Sequence, residues 1–258
     1  MTSKVVRFAP WVGSDYERGL KGLRLLIVGE SHYGSKPYER PTVTPEVIKA
    51  SALRQKHPLA TVKPRKHSHF AKIMASTLSV SKSSSISGPE RKDFWSRVAY
   101  YNFIQEFLAK PRVAPSQNAW SRSEGAFLQV LEVLRPQLII CYSIRNGERV
   151  RKLAGPIPVA VVNHPSSRFA YSKANPVIAA QFEAAIAKVE AETAFAGCNV
   201  FQGWRALTND ALPSRGKYMA DLEREEALTR WAALMSAIDS EACVSSPNME
   251  SLNSVKCG

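Results

Sequence analysis

Cysteine is scarce and unpaired in this chain. Its four cysteines, Cys141, Cys198, Cys243 and Cys257, form no C-x-x-C pair and have no histidine at metal-ligand spacing. A disulfide scaffold and a structural zinc or iron–sulfur centre are therefore not expected. Cys141, inside the run Leu138 to Tyr142, reads as a buried small hydrophobe. Long apolar runs are missing too: none approaches the ~18–20 residues that span a bilayer. Met1 to Arg7 lacks the apolar core of a secretory signal, so a cytoplasmic protein without a membrane partner is expected. The third shortage is of acid: 22 Asp and Glu stand against 35 Lys and Arg, a formal charge of +13. That imbalance favours a polyanionic partner, nucleic acid first and an anionic membrane surface second.

What is present is enough for a sizeable core, since 45% of the 258 residues are apolar. Three short apolar runs, Leu23 to Val28, Leu138 to Tyr142 and Ile157 to Val162, read as buried parallel strands. Phe127, Val130, Leu131 and Leu134 repeat at helical spacing over Gly125 to Leu134, and Pro136 stops that helix. Ile144 to Leu153 is a short charged helix ended by Gly155 and Pro156. Ala174 to Ala194 and Tyr218 to Ile238 read as further helices. Val98 to Phe107 fits either a strand or a helix. Alternating strands and helices argue for an α/β sheet with helices on its faces, in one domain over residues 1–238. Residues 239–258 are Ser- and Asn-rich without periodicity and read as a frayed tail.

The segment Val47 to Pro89 differs in character. It holds eight Lys or Arg and no Asp or Glu, includes Lys63, Arg65 and Lys66, and carries His57, His67 and His69. Its composition suits a solvated surface loop. In so basic a chain it is also where phosphate contacts would fall, as an electrostatic guide rather than a reader of sequence.

In an open parallel sheet, ligands bind beyond the carboxyl ends of the strands. Two apolar runs lead into functional groups there: Leu25-Leu26-Ile27-Val28 into Gly29-Glu30-Ser31-His32-Tyr33, and Val159 to Val162 into Asn163-His164-Pro165-Ser166-Ser167-Arg168. With both strands in one parallel sheet, Glu30 and His164 emerge on the same edge. A carboxylate and an imidazole there suit a general base and an electrophilic stabiliser. The plainer alternative makes Glu30 a cap and His164 a packed loop residue.

Together these motifs resemble the two signature motifs of the uracil-DNA glycosylase superfamily. Tyr101-Asn102-Phe103 resembles the middle asparagine segment of that superfamily. Arg112-Val113-Ala114-Pro115 and the helix before Pro136 resemble its later layout, so the likeness runs from about Leu23 to Phe169. The resemblance implies a three-layer α/β/α fold with a central, mainly parallel four-stranded sheet. It implies a monofunctional, cofactor-free and metal-free monomer that flips a base from single- or double-stranded DNA and hydrolyses its N-glycosidic bond. By the same resemblance, Glu30 orients or deprotonates the water and favours the sugar cation, and His164 donates a hydrogen bond to the leaving base. Asn102 would read a pyrimidine edge, Tyr33 would crowd its fifth carbon, and His32 would shape the pocket mouth. Phe70, Tyr38 and Phe103 are candidates for stacking on the base, although such aromatics are more often core. Ser166 and Ser167 would hold phosphates, and Arg168 would enter the base stack as a wedge.

Ser31 stands where the best-known branch has its water-activating aspartate, which moves that role to Glu30. His32 replaces a proline or small residue, and the basic segment is inserted before the middle motif. The expected substrate is accordingly uracil or a modified pyrimidine, in repair or in attack on foreign DNA. A non-catalytic nucleic-acid-binding protein is the alternative. A serine hydrolase is disfavoured because neither Ser31 nor Ser166 sits in a G-x-S-x-G elbow, and a zinc deaminase because the C-x-x-C half of its signature is missing.

Overall fold

The computed structural model describes residues 6–34, 39–55, 68–110 and 113–204, with side chains to residue 193. Tyr38, Lys63, Arg65, Lys66, Arg112, the expected helix Tyr218 to Ile238 and the tail lie outside the described residues.

Five strands, β1 (Trp11–Val12), β2 (Leu25–Tyr33), β3 (Val98–Leu108), β4 (Leu138–Cys141) and β5 (Val159–Val161), form one sheet in the order β1-β3-β2-β4-β5. The pairings β2–β3, β2–β4 and β4–β5 are parallel, while β1 pairs antiparallel with β3. The sheet is therefore mixed and five-stranded, not the expected four. The additional strand is two residues long and semi-exposed, too short to leave an apolar run in the sequence. The segment that fitted two periods, Val98 to Phe107, is β3. Its side chains are buried on both faces of the sheet, which erases the alternation that marks a half-exposed strand.

The helices are α1 (Val43–Val47), continued by a π turn at Ile48–Ala52, then α2 (Ser68–Thr77), α3 (Gly88–Ser96), α4 (Gln117–Leu134), α5 (Ile144–Ala154) and α6 (Tyr171–Trp204). Side chains alternate along each strand, and each face of the sheet has its own apolar cluster. Leu25, Ile27, Tyr100 and Ile140 pack with Ile73 and Met74 of α2, Trp95 of α3 and Ile178 of α6. Leu26, Val28, Tyr101 and Ile139 pack with Phe127 and Val130 of α4 and Val150 of α5.

Two expectations are corrected here. Helix α4 begins at Gln117, about two turns earlier than its apolar period suggests. Its first turns turn only Ala119, Trp120 and Ser123 to the core, and Ser116 caps them by accepting from Ala119 N. The basic segment is not simply a solvated loop, because α2 lies within it and buries Phe70, Ile73, Met74 and Ala75. The Tyr142 hydroxyl at the end of β4 ties α2 down, lying 2.7 Å from Ser76 Oγ and 2.9 Å from Thr77 Oγ1 and donating to Ile73 O at 3.0 Å.

Candidate functional site

Because β2, β4 and β5 run parallel, the segments that follow them converge on one edge. A cleft of about 480 Å³ opens there, lined by Glu30, Ser31, Tyr33, Arg145, His164, Ser166 and Ser167. That volume lies within the range usual for small-ligand sites.

Strand β2 continues past its apolar half, so Glu30 to Tyr33 are strand residues rather than loop. Its register with β3 shifts between Ser31 and His32, where Ser31 pairs Ile104 and His32 pairs Phe107. Such an irregularity re-aims side chains at the end of a strand. Glu30 is held at both carboxylate oxygens. Ser143 Oγ donates to Oε2 at 2.8 Å and Arg145 Nη1 to Oε1 at 2.9 Å. Ser143 is also the N-cap of α5, accepting from Asn146 N at 3.3 Å, so helix start and carboxylate share one hydroxyl. Arg145 Nη1 also donates to Val113 O at 3.2 Å.

His164 stands across the cleft in the turn after β5. Its Nδ1 accepts from Ser166 N at 3.2 Å, and its carbonyl accepts from Ser167 N at 2.9 Å and Ser167 Oγ at 2.7 Å. Lys72 Nζ of α2 donates to the neighbouring Pro165 O at 2.8 Å. Burial holds the His164 imidazole below its ordinary pKa; the Glu30 charge opposes this and Arg145 adds to it. A neutral ring that accepts at Nδ1 carries its proton at Nε2 and offers it as a donor. Ser167 uses its hydroxyl and amide, and Ser166 its amide, to close this turn. Arg168 is exposed beside it.

The remaining expected site residues are placed differently. Tyr33 is 56% exposed, at the rim of the cleft. His32 is 8% exposed, packed against the Phe8 and Phe107 rings, which also touch each other, with Nε2 2.8 Å from Thr44 Oγ1 and 3.1 Å from Asn102 Nδ2. Burial pushes its pKa down to about 4. Asn102 is 6% exposed, and its Oδ1 accepts from the Tyr100 hydroxyl at 3.1 Å. That amide lies against Gly29, where a Cβ would collide with Asn102 Oδ1 and the Tyr100 hydroxyl. Phe70 sits in the core, edge-on to Trp95 and Tyr100 at 5.9 and 5.6 Å between ring centroids. Phe103 is fully buried against Trp120 and Phe127.

Sequence reasoning missed Ser143 and Arg145. A signal was available, because Ser143 follows the apolar run Leu138 to Tyr142 and opens a helix, which puts Arg145 on the same sheet edge as Glu30. Among the described residues, no group of three or more His, Cys, Asp or Glu side chains is gathered to hold a metal ion. Among the described residues, no helix is long and apolar enough to cross a membrane.

Fold and cleft together define an α/β protein with a carboxylate and an imidazole on the carboxyl edge of its sheet. No family model and no curated protein matches the chain.

Proposed function

We propose that this chain is a DNA glycosylase of the uracil-DNA glycosylase type, built as a three-layer α/β/α domain, acting on uracil or a modified pyrimidine. One observation carries the reading: Glu30 and His164, each held in place by its neighbours, line one cleft at the ends of parallel strands β2 and β5. Hydrolysis of an N-glycosidic bond needs negative charge near the sugar and a donor at the departing base. Glu30 provides the first. Its two bonded oxygens keep further lone pairs for a water, which adds to the sugar C1′ as the C1′–N bond breaks. The water proton passes to the carboxylate, and the bond's electron pair leaves with the base. The Nε2–H of His164 stabilises the base anion by a preorganised hydrogen bond.

Asn102 reads a base edge in this scheme only by giving up its bonds to Tyr100 and His32. Discrimination between bases therefore falls chiefly to His164, Tyr33 and the hydroxyls of Ser31 and Ser166. The basic chain supplies the phosphate attraction that base flipping requires.

The engagement of both Glu30 oxygens favours one second reading, a binding protein on the same fold without turnover. One experiment separates the two. Labelled oligonucleotides carrying uracil, thymine mismatches, hypoxanthine, hydroxymethylcytosine or glucosylated cytosine are incubated with wild type and with Glu30→Gln, and alkali reveals abasic sites. Excision of one base, reduced at least about 100-fold in Glu30→Gln with oligonucleotide binding retained, is the expected result. Binding without abasic product on any substrate gives the second reading, and equal excision by the variant overturns the role of Glu30.

A further inference from the structure

We propose that His69, on the first turn of α2, is a positioning residue that fixes the plane of the His164 imidazole, so that the basic segment supports a residue of the cleft. The reaction named here rests on the glycosylase reading, whereas the geometry can be tested without it.

The His69 and His164 rings lie 4.8 Å apart between centroids, inclined at 43°. On its other side His69 meets Phe70 edge-on, at 4.9 Å and 86°. Phe70 is in turn lodged against Trp95 and Tyr100 in the core. A run of packed rings therefore connects the buried face of the sheet to the imidazole at the cleft. Lys72, three residues further along α2, holds the same turn from beside His164 by donating to Pro165 O. Both contacts come from one helix that the Tyr142 hydroxyl anchors at Ser76, Thr77 and the Ile73 carbonyl.

The bond from Ser166 N to Nδ1 sets the tautomer, but a single hydrogen bond leaves a ring able to pivot about it. A second ring packed against it at a 43° tilt restricts that pivot, and the direction of the Nε2–H then follows. A donor aimed at a developing anion works only within a narrow range of directions. Nothing in this role requires His69 to give or take a proton. An aromatic ring of similar size should serve.

The test uses the full chain as wild type, His69→Ala and His69→Phe, with urea midpoints recorded for each. Long-range nitrogen–proton NMR of the His164 ring needs no substrate. All three proteins should show the Nε2–H tautomer that the Ser166 amide sets. The His164 ring signals should be alike in wild type and His69→Phe but shifted and broadened in His69→Ala, where the ring is free to pivot. On whichever base the wild type excises, His69→Ala should lower kcat about tenfold with little change in KM, and His69→Phe should restore it to within about threefold, as expected for lost orientation. A His164 spectrum unchanged in His69→Ala overturns the proposal. So does a His69→Phe variant as impaired as His69→Ala, since that would make the role chemical. If wild type excises nothing while the His164 spectrum still responds to His69→Ala, the positioning stands and the glycosylase reading falls.

Discussion

Three neighbouring positions on β2 answer to three different physical demands. Gly29 has no side chain because the Asn102 amide and the Tyr100 hydroxyl occupy the space a Cβ would take. Gly29→Ala should cost about 1–3 kcal/mol through overpacking, measured as a lower urea midpoint at unchanged m-value. Glu30 is turned to the cleft and bonded on both oxygens. His32 is turned inward, where burial keeps it neutral down to about pH 4. Its folded pKa lies below the unfolded value, so as pH falls through about 6.5 the unfolded chain takes up a proton that the folded one refuses. Stability is thereby lost between about pH 6.5 and 4, with a ceiling of about 3 kcal/mol. In urea titrations across that window, the wild type minus His32→Gln difference should carry this slope. A parallel pair of curves would refute it. His164 gives a second electrostatic check, because Glu30 raises its pKa and Arg145 lowers it. Glu30→Gln should move the His164 titration down and Arg145→Gln should move it up, both readable by imidazole NMR.

Helix α2 is the element most misrepresented by its composition. It follows a tract of lysine, arginine and histidine, yet Ile73 is fully buried and Met74 and Phe70 nearly so. Ile73→Ala should destabilise the protein by about 2–5 kcal/mol, as a large-to-small change at a closed core position does. A solvated segment would register almost no change in thermal or urea unfolding. Tyr142→Phe probes the same docking from β4, since the hydroxyl it removes meets Ser76, Thr77 and the Ile73 carbonyl in the interior. A cost of about 1–3 kcal/mol is expected from the buried partners left behind.

Across the whole molecule, the parallel strand order brings the ends of β2, β4 and β5 to one edge, and the chain as a whole carries a net charge of +13, which favours polyanions. If duplex binding uses about four phosphate contacts, the logarithm of affinity should fall with the logarithm of salt at a slope near −3.6. That amounts to about a hundredfold loss between 50 and 200 mM salt. Fluorescence anisotropy on an unmodified duplex measures it, and a salt-independent affinity would remove nucleic acid as the partner of the basic charge.

Legibility from sequence tracked how much of the signal was local. The runs Leu25 to Val28 and Leu138 to Cys141 announce buried strands because a strand covered on both faces is apolar at every position. Glu30 and His164 were legible as an edge pair, since each follows such a run and parallel strands end on the same side. Composition also determined the positive field, because charge adds up regardless of folding. Tertiary structure alone decided that α2 belongs to the core, that β1 adds an antiparallel strand, and that the Asn102 amide and the His32 ring turn to each other rather than to the cleft. It alone brought Ser143 and Arg145 onto Glu30 and laid His69 on His164. These last arrangements depend on contacts between residues 95 to 115 positions apart. The direction of a side chain at such a contact is set by what packs against it from elsewhere in the chain, and no local pattern records that.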